Sequence, residues 1–134
     1  QEVGKFIISE VIQKEKRTEE FLQELNETKD ISFCEEKYMG FSCGRITANV
    51  FKHWNLSHNI IFPIAYAEDI DSCPDSFKQK AQILHVIKIL CDIRDPLSDR
   101  NIEKALKKVA LFNLDVEQFL NSIDVIKEVI KQNS

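Results

Sequence analysis

The sequence predicts an all-α fold, and three observations carry that prediction. Gly and Pro number three each among 134 residues, too few for the turns of a sheet protein of this length. Apolar side chains recur at three- and four-residue intervals along most of the chain. Ser, Thr or Asp stands ahead of most of these stretches, where a side-chain oxygen can take the free N–H groups of a first helical turn. With 43% hydrophobic and 30% charged residues, residues 1–134 read as one domain of six or seven helices, able to bury roughly 65% of its unfolded surface.

Taken in order, the first helix carries Phe6, Ile7, Ile8, Val11 and Ile12 on one face with no N-cap ahead, so the chain is expected to start inside a domain. Thr18, with Glu19 and Glu20 at the positive end of the dipole, opens an amphipathic helix that ends near Lys29. Ser32 and Glu35 make a capping box for a short helix with Tyr38 and Met39, and Gly40 suits its C-terminal stop. Ser42 caps the next helix, where Ile46, Val50 and Trp54 recur every four residues and set a large indole on the apolar stripe; Asn55 ends it. Ser57 caps a following helix with Ile60, Ile61, Ile64 and Ala65, and Pro63 falls at about its second turn. After a loop at 71–74, in which Ser72 or Cys73 caps and Pro74 enters the first turn, a long helix over 74–93 carries Phe77, Ala81, Leu84, Ile87 and Cys91 on one stripe. Ile83, Val86 and Leu90 widen the stripe, which predicts a central helix buried along much of its length. Ser98 and Asp115 open two last helices, an antiparallel hairpin over 98–132.

Composition bounds the partners. A net charge of −4 and a pI near 5.4 argue against non-specific nucleic-acid binding, which needs a basic face to neutralise phosphates. Cys34, Cys43, Cys73 and Cys91 show neither CxxC nor Cys/His ligand spacing, and reduced thiols in a cytoplasmic protein are expected. No apolar run approaches the length of a membrane span and no signal peptide opens the chain. His53, His58 and His85 have no Ser or Cys at a nucleophile spacing, Gly40 and Gly44 do not make a phosphate loop, and Lys104, Lys107 and Lys108 read as a solvated face.

The stretch 40–69, GFSCGRITANVFKHWNLSHNIIFPIAYAED, resembles the GFDH…W-x-LP…AIxxHH segment of HDOD domains, relatives of the HD-type metal phosphohydrolases. QEVGKFIIS at the start is similar to their H-D-I-G-K segment, and Glu35-Glu36 to the acidic pair that precedes GFDH. The resemblance implies the C-terminal part of an HD-like helical bundle over roughly residues 1–129, with Gly40, Trp54, Leu56 and Ile64 kept as packing anchors. It also allows the metal positions to be followed one by one. The His-Asp doublet falls on Gln1 and Glu2, the GFDH histidine on Cys43, the paired histidines on Ala67 and Glu68, and a late aspartate on Lys88, three residues after His85. Divalent ions in such sites are held by imidazoles and carboxylates, so the resemblance implies neither a metal nor a cofactor nor a catalytic residue here. It implies instead a non-enzymatic signal-transduction output domain that acts by binding protein. Two alternatives stay open: a metal-dependent phosphohydrolase or phosphodiesterase, and a nucleotide-sensing domain holding a small molecule in the vacated pocket near Glu2, Cys43 and Glu68. A domain without its first helices would leave Phe6, Ile7, Ile8, Leu84 and Ile87 uncovered, which predicts self-association or a protein partner on that face.

Overall fold

The computed structural model describes residues 3–28, 30–92 and 95–133, and these residues form eight α-helices and no strand. The helices are α1 (Val3–Lys14), α2 (Thr18–Thr28), α3 (Ile31–Met39), α4 (Cys43–His53), α5 (His58–Tyr66), α6 (Asp75–Leu90), α7 (Asp99–Leu111) and α8 (Val116–Gln132). The all-α class matches the sequence prediction, with one more helix than expected. Packing divides the chain into two compact units, Gln1–Leu84 and His85–Ser134.

Helix boundaries follow local chemistry. Ser42, Ser57, Ser98 and Asp115 each accept a first-turn N–H of α4, α5, α7 and α8, as the sequence predicts. The start of α3 differs: Asp30, not Ser32, is the cap, accepting the Phe33 N–H at 3.0 Å, so the expected capping box does not form and Glu35 turns inward instead. The ends of α1, α4 and α7 share one closure. Lys16, Asn55 and Asn113 take positive φ, and the next N–H, from Arg17, Leu56 and Leu114, reaches back to Ile12, Phe51 and Val109 at 3.1, 3.0 and 3.0 Å. This pattern satisfies carbonyls left over at a helix C-terminus. Gly40, at φ 71°, does the same service for α3.

In the first unit Ile8, Ile12 and Cys43 form a core flanked by Phe21, Met39 and Ile46. Ile8 was expected to lie uncovered; α1 buries it against this cluster, leaving Phe6 (77% exposed) and Ile7 outside. In the second unit Val86, Leu90, Ala105, Val109 and Ile123 form the core. Buried Asn101 satisfies the turn before α7 by donating from Nδ2 to the Asp95 carbonyl at 2.8 Å. The expectation that α6 is buried along much of its length is corrected. Only Ala81, Val86 and Leu90 are buried, while Ile83 and Ile87 are 44% and 47% exposed, because an apolar stripe this wide exceeds what the neighbouring helices cover.

Candidate functional site

The junction where α1, α3 and α4 meet holds the buried polar groups of the first unit. Cys43 begins α4, so its N–H has no acceptor within the helix. The acceptor comes from α3: Glu35, 3% exposed, takes that N–H on Oε2 at 2.9 Å. A carboxylate at the positive end of a helix dipole, hydrogen-bonded to a backbone N–H, is among the stronger uncrosslinked contacts a fold can make. Ser42 Oγ accepts the Arg45 N–H, so α4 is capped both locally and from another helix.

Across the same helix, fully buried Thr47 accepts the Gly4 N–H on Oγ1 at 2.9 Å, which caps α1 from α4. The approach requires glycine. A Cβ on Gly4 would lie 2.4 Å from the Cys43 carbonyl oxygen, 2.8 Å from Thr47 Oγ1 and 3.0 Å from Cys43 Sγ. Gly44 repeats the device against α5, where a Cβ would lie 2.6 Å from the Ile64 carbonyl oxygen. Helix α4 is thus clasped on two sides at backbone distance. At the rim, Arg45 pairs with Asp69 at 3.7 Å with both side chains near half exposed, a geometry that contributes little in water.

The residues singled out from sequence fall as follows. Gln1 and Glu2 lie outside the described residues. Cys43 is a small buried side chain packed beneath α1. Ala67 is fully buried at the end of α5, and Glu68 beside it is exposed. Lys88 and His85 lie on the part of α6 that belongs to the second unit, where the His85 ring meets Phe112 edge-on at 5.8 Å. Ile64 is buried, and Gly40 serves as a helix stop with open space around it. Two anchors are corrected: Trp54 is 60% exposed and Leu56 37%. A four-residue repeat advances about 40° per step around a helix of 3.6 residues per turn, so by Trp54 the stripe begun at Ile46 has rotated away from the core. Trp54 also sits at the C-cap of α4, and its ring stacks on Phe51.

The HDOD domain family matches residues 1–70, the segment that contains this junction in full. The chain belongs to the HDOD family. Among solved structures it is similar to a virulence factor from Campylobacter jejuni subsp. jejuni, with a TM-score of 0.69 at 18% identity over 90% of this chain and 47% of that one. At that identity the likeness is one of fold, and the chain spans about half the length of that protein. No curated protein matches it.

Among the described residues, the positions that resemble the family's metal ligands do not come together as a donor set. Ala67 offers no side-chain donor, the Glu35 carboxylate is engaged by the α4 N-terminus, and among the described residues no three of His, Cys, Asp and Glu converge. What sequence reasoning missed is the partnership of Gly4, Glu35 and Thr47. The visible signal was a glycine inside an apolar helix, the usual mark of a close backbone approach.

Proposed function

We propose that this HDOD domain is a non-enzymatic regulatory output domain that acts by binding protein. One observation carries the reading: the position that resembles the metal-binding GFDH histidine, Cys43, is enclosed by protein atoms. Gly4 presses on its carbonyl from one side and Glu35 holds its N–H from another. The same enclosure weighs against a nucleotide-sensing pocket beside Cys43, which needs space that α1 occupies. Exposed apolar side chains in the first unit, Trp54, Ile60 and Phe6 among them, support a surface that works by contact.

The test uses whole protein purified without chelator, with elemental analysis beside activity on a generic phosphodiester. The expected result is no stoichiometric manganese, iron, zinc or magnesium and no chelator-sensitive hydrolysis. About one equivalent of any of these ions, lost together with hydrolysis on adding chelator, overturns the reading. Light scattering across a concentration range then shows whether the partner is a second copy of the chain.

A further inference from the structure

We propose that the exposed corner between α4 and α5, built on Trp54, is the surface by which this domain grips its partner, and that the partner is an acidic protein segment presenting apolar side chains. The inference rests on the protein-binding reading above and adds a surface and a partner chemistry to it. Trp54, Leu56 and Ile60 are all exposed, and Trp54 stacks on Phe51 with ring centroids 5.8 Å apart. The turn beneath them is closed by backbone hydrogen bonds, Asn55 N–H to the Lys52 carbonyl and Leu56 N–H to the Phe51 carbonyl. Apolar side chains held on a fixed turn lose little freedom on binding, and tryptophan is among the residues enriched at binding hot spots.

Charge names the partner. From Arg45 to Ala67 the chain has no Asp or Glu, although it carries 22 acidic residues and a net charge of −4. Lys52 precedes the corner, His53 and His58 flank it, and Lys80 reaches it from α6, donating from Nζ to Asn59 Oδ1 at 2.6 Å. Neither Lys52 nor Lys80 makes an ion pair among the described residues. Lys52 and His53 complement the dipole at the end of α4, but that does not account for Lys80, which comes from a different helix. An apolar platform with a basic rim, set in an acidic chain, selects an acidic apolar segment and repels a basic one. An anionic membrane is the weaker fit, since an interfacial anchor uses the whole apolar face of a helix and here the next apolar residues of α5, Ile61 and Ile64, are buried.

The experiment selects peptides from a random displayed library against the whole chain and measures the winners as synthetic peptides. Trp54 is the only tryptophan, so its emission reports the corner directly. Selected peptides rich in Asp, Glu and large apolar residues, with a blue shift of Trp54 on binding, are expected. By anisotropy of labelled peptide, Trp54→Ser weakens binding at least about tenfold, as loss of a hot-spot tryptophan does. Lys52→Glu with Lys80→Glu weakens it severalfold and flattens its salt dependence. Circular dichroism confirms folding, and Ile60→Ser serves as a second variant. Winners that are neutral or basic, or that bind the Trp54 and Ile60 variants undiminished, overturn the inference while leaving protein binding itself intact. Failure to select any peptide overturns it too, and a blue shift with phosphatidylserine vesicles then assigns the corner to a membrane. Chelator-sensitive hydrolysis, by contrast, brings down the protein-binding reading.

Discussion

Gly4 and Gly44 are where a single methyl group matters most. Gly4→Ala drives a Cβ against the Cys43 carbonyl and Gly44→Ala against the Ile64 carbonyl, backbone atoms that can retreat only by parting the helices. Each substitution is expected to cost about 1–3 kcal/mol, the range for overpacking a tight interior, read from urea midpoints. Gly40→Ala meets no atom within 4 Å, so its cost comes from the left-handed backbone alone and is expected to be about 1–2 kcal/mol. Glu35→Ala strands the Cys43 N–H in a buried site and should cost about 1.5–3 kcal/mol, as a lost hydrogen bond to a charged group does. Trp54→Ala runs the other way. A core tryptophan would cost about 3–5 kcal/mol, but this one loses mainly its stack on Phe51, expected to be worth about 1 kcal/mol. A melting temperature lowered as far as that of a core truncation would contradict the exposed position.

Within elements, the segment between α5 and α6 hides a thiol. Cys73 is 4% exposed, and burial pushes its pKa above the ordinary 9.0, with Lys78 opposing and Asp69 and Asp75 assisting. The folded thiol therefore keeps its proton to higher pH than the thiol of the unfolded chain. The stabilisation is whole below the unfolded value and is lost as pH rises through the folded one. The parent is expected to lose more stability than Cys73→Ala as pH rises past the ordinary thiol value of 9.0, measured by urea unfolding. Three of the four free cysteines are buried and Cys91 is exposed, so one thiol should react at once with an aromatic disulfide reagent and three slowly. Equal rates would show that the helices around Cys34, Cys43 and Cys73 open freely. Helix ends were legible in the sequence because caps are local: Ser42, Ser57, Ser98 and Asp115 act on N–H groups two or three residues away. The role of Glu35 was not, because its partner lies eight residues on, in another helix. Trp54 was misplaced because periodicity gives a direction around a helix and not the position of the neighbours.

For the whole molecule, the family was legible because its glycine-phenylalanine and Ile-rich segments fall together in one stretch, and the match to residues 1–70 covers that stretch. What such a stretch carries into the fold is a clasp with unequal halves. The contact of α4 with α5 joins neighbours in the chain across one short turn, whereas Gly4 and Thr47 are 43 residues apart. Closing a loop of that length costs on the order of 3 kcal/mol of chain entropy, so order of assembly follows. The α4–α5 corner is expected to form early and α1 to be captured late. Destabilisation by Gly4→Ala is then expected in the unfolding rate, with refolding nearly unchanged, while Gly44→Ala slows refolding. Stopped-flow chevrons separate the two. Equal slowing of refolding by both would mean that α1 is in place before the rate-limiting step. If α1 does arrive last, it also leaves first, and the lifetime of the native first unit is set by how firmly one glycine holds its place against a carbonyl.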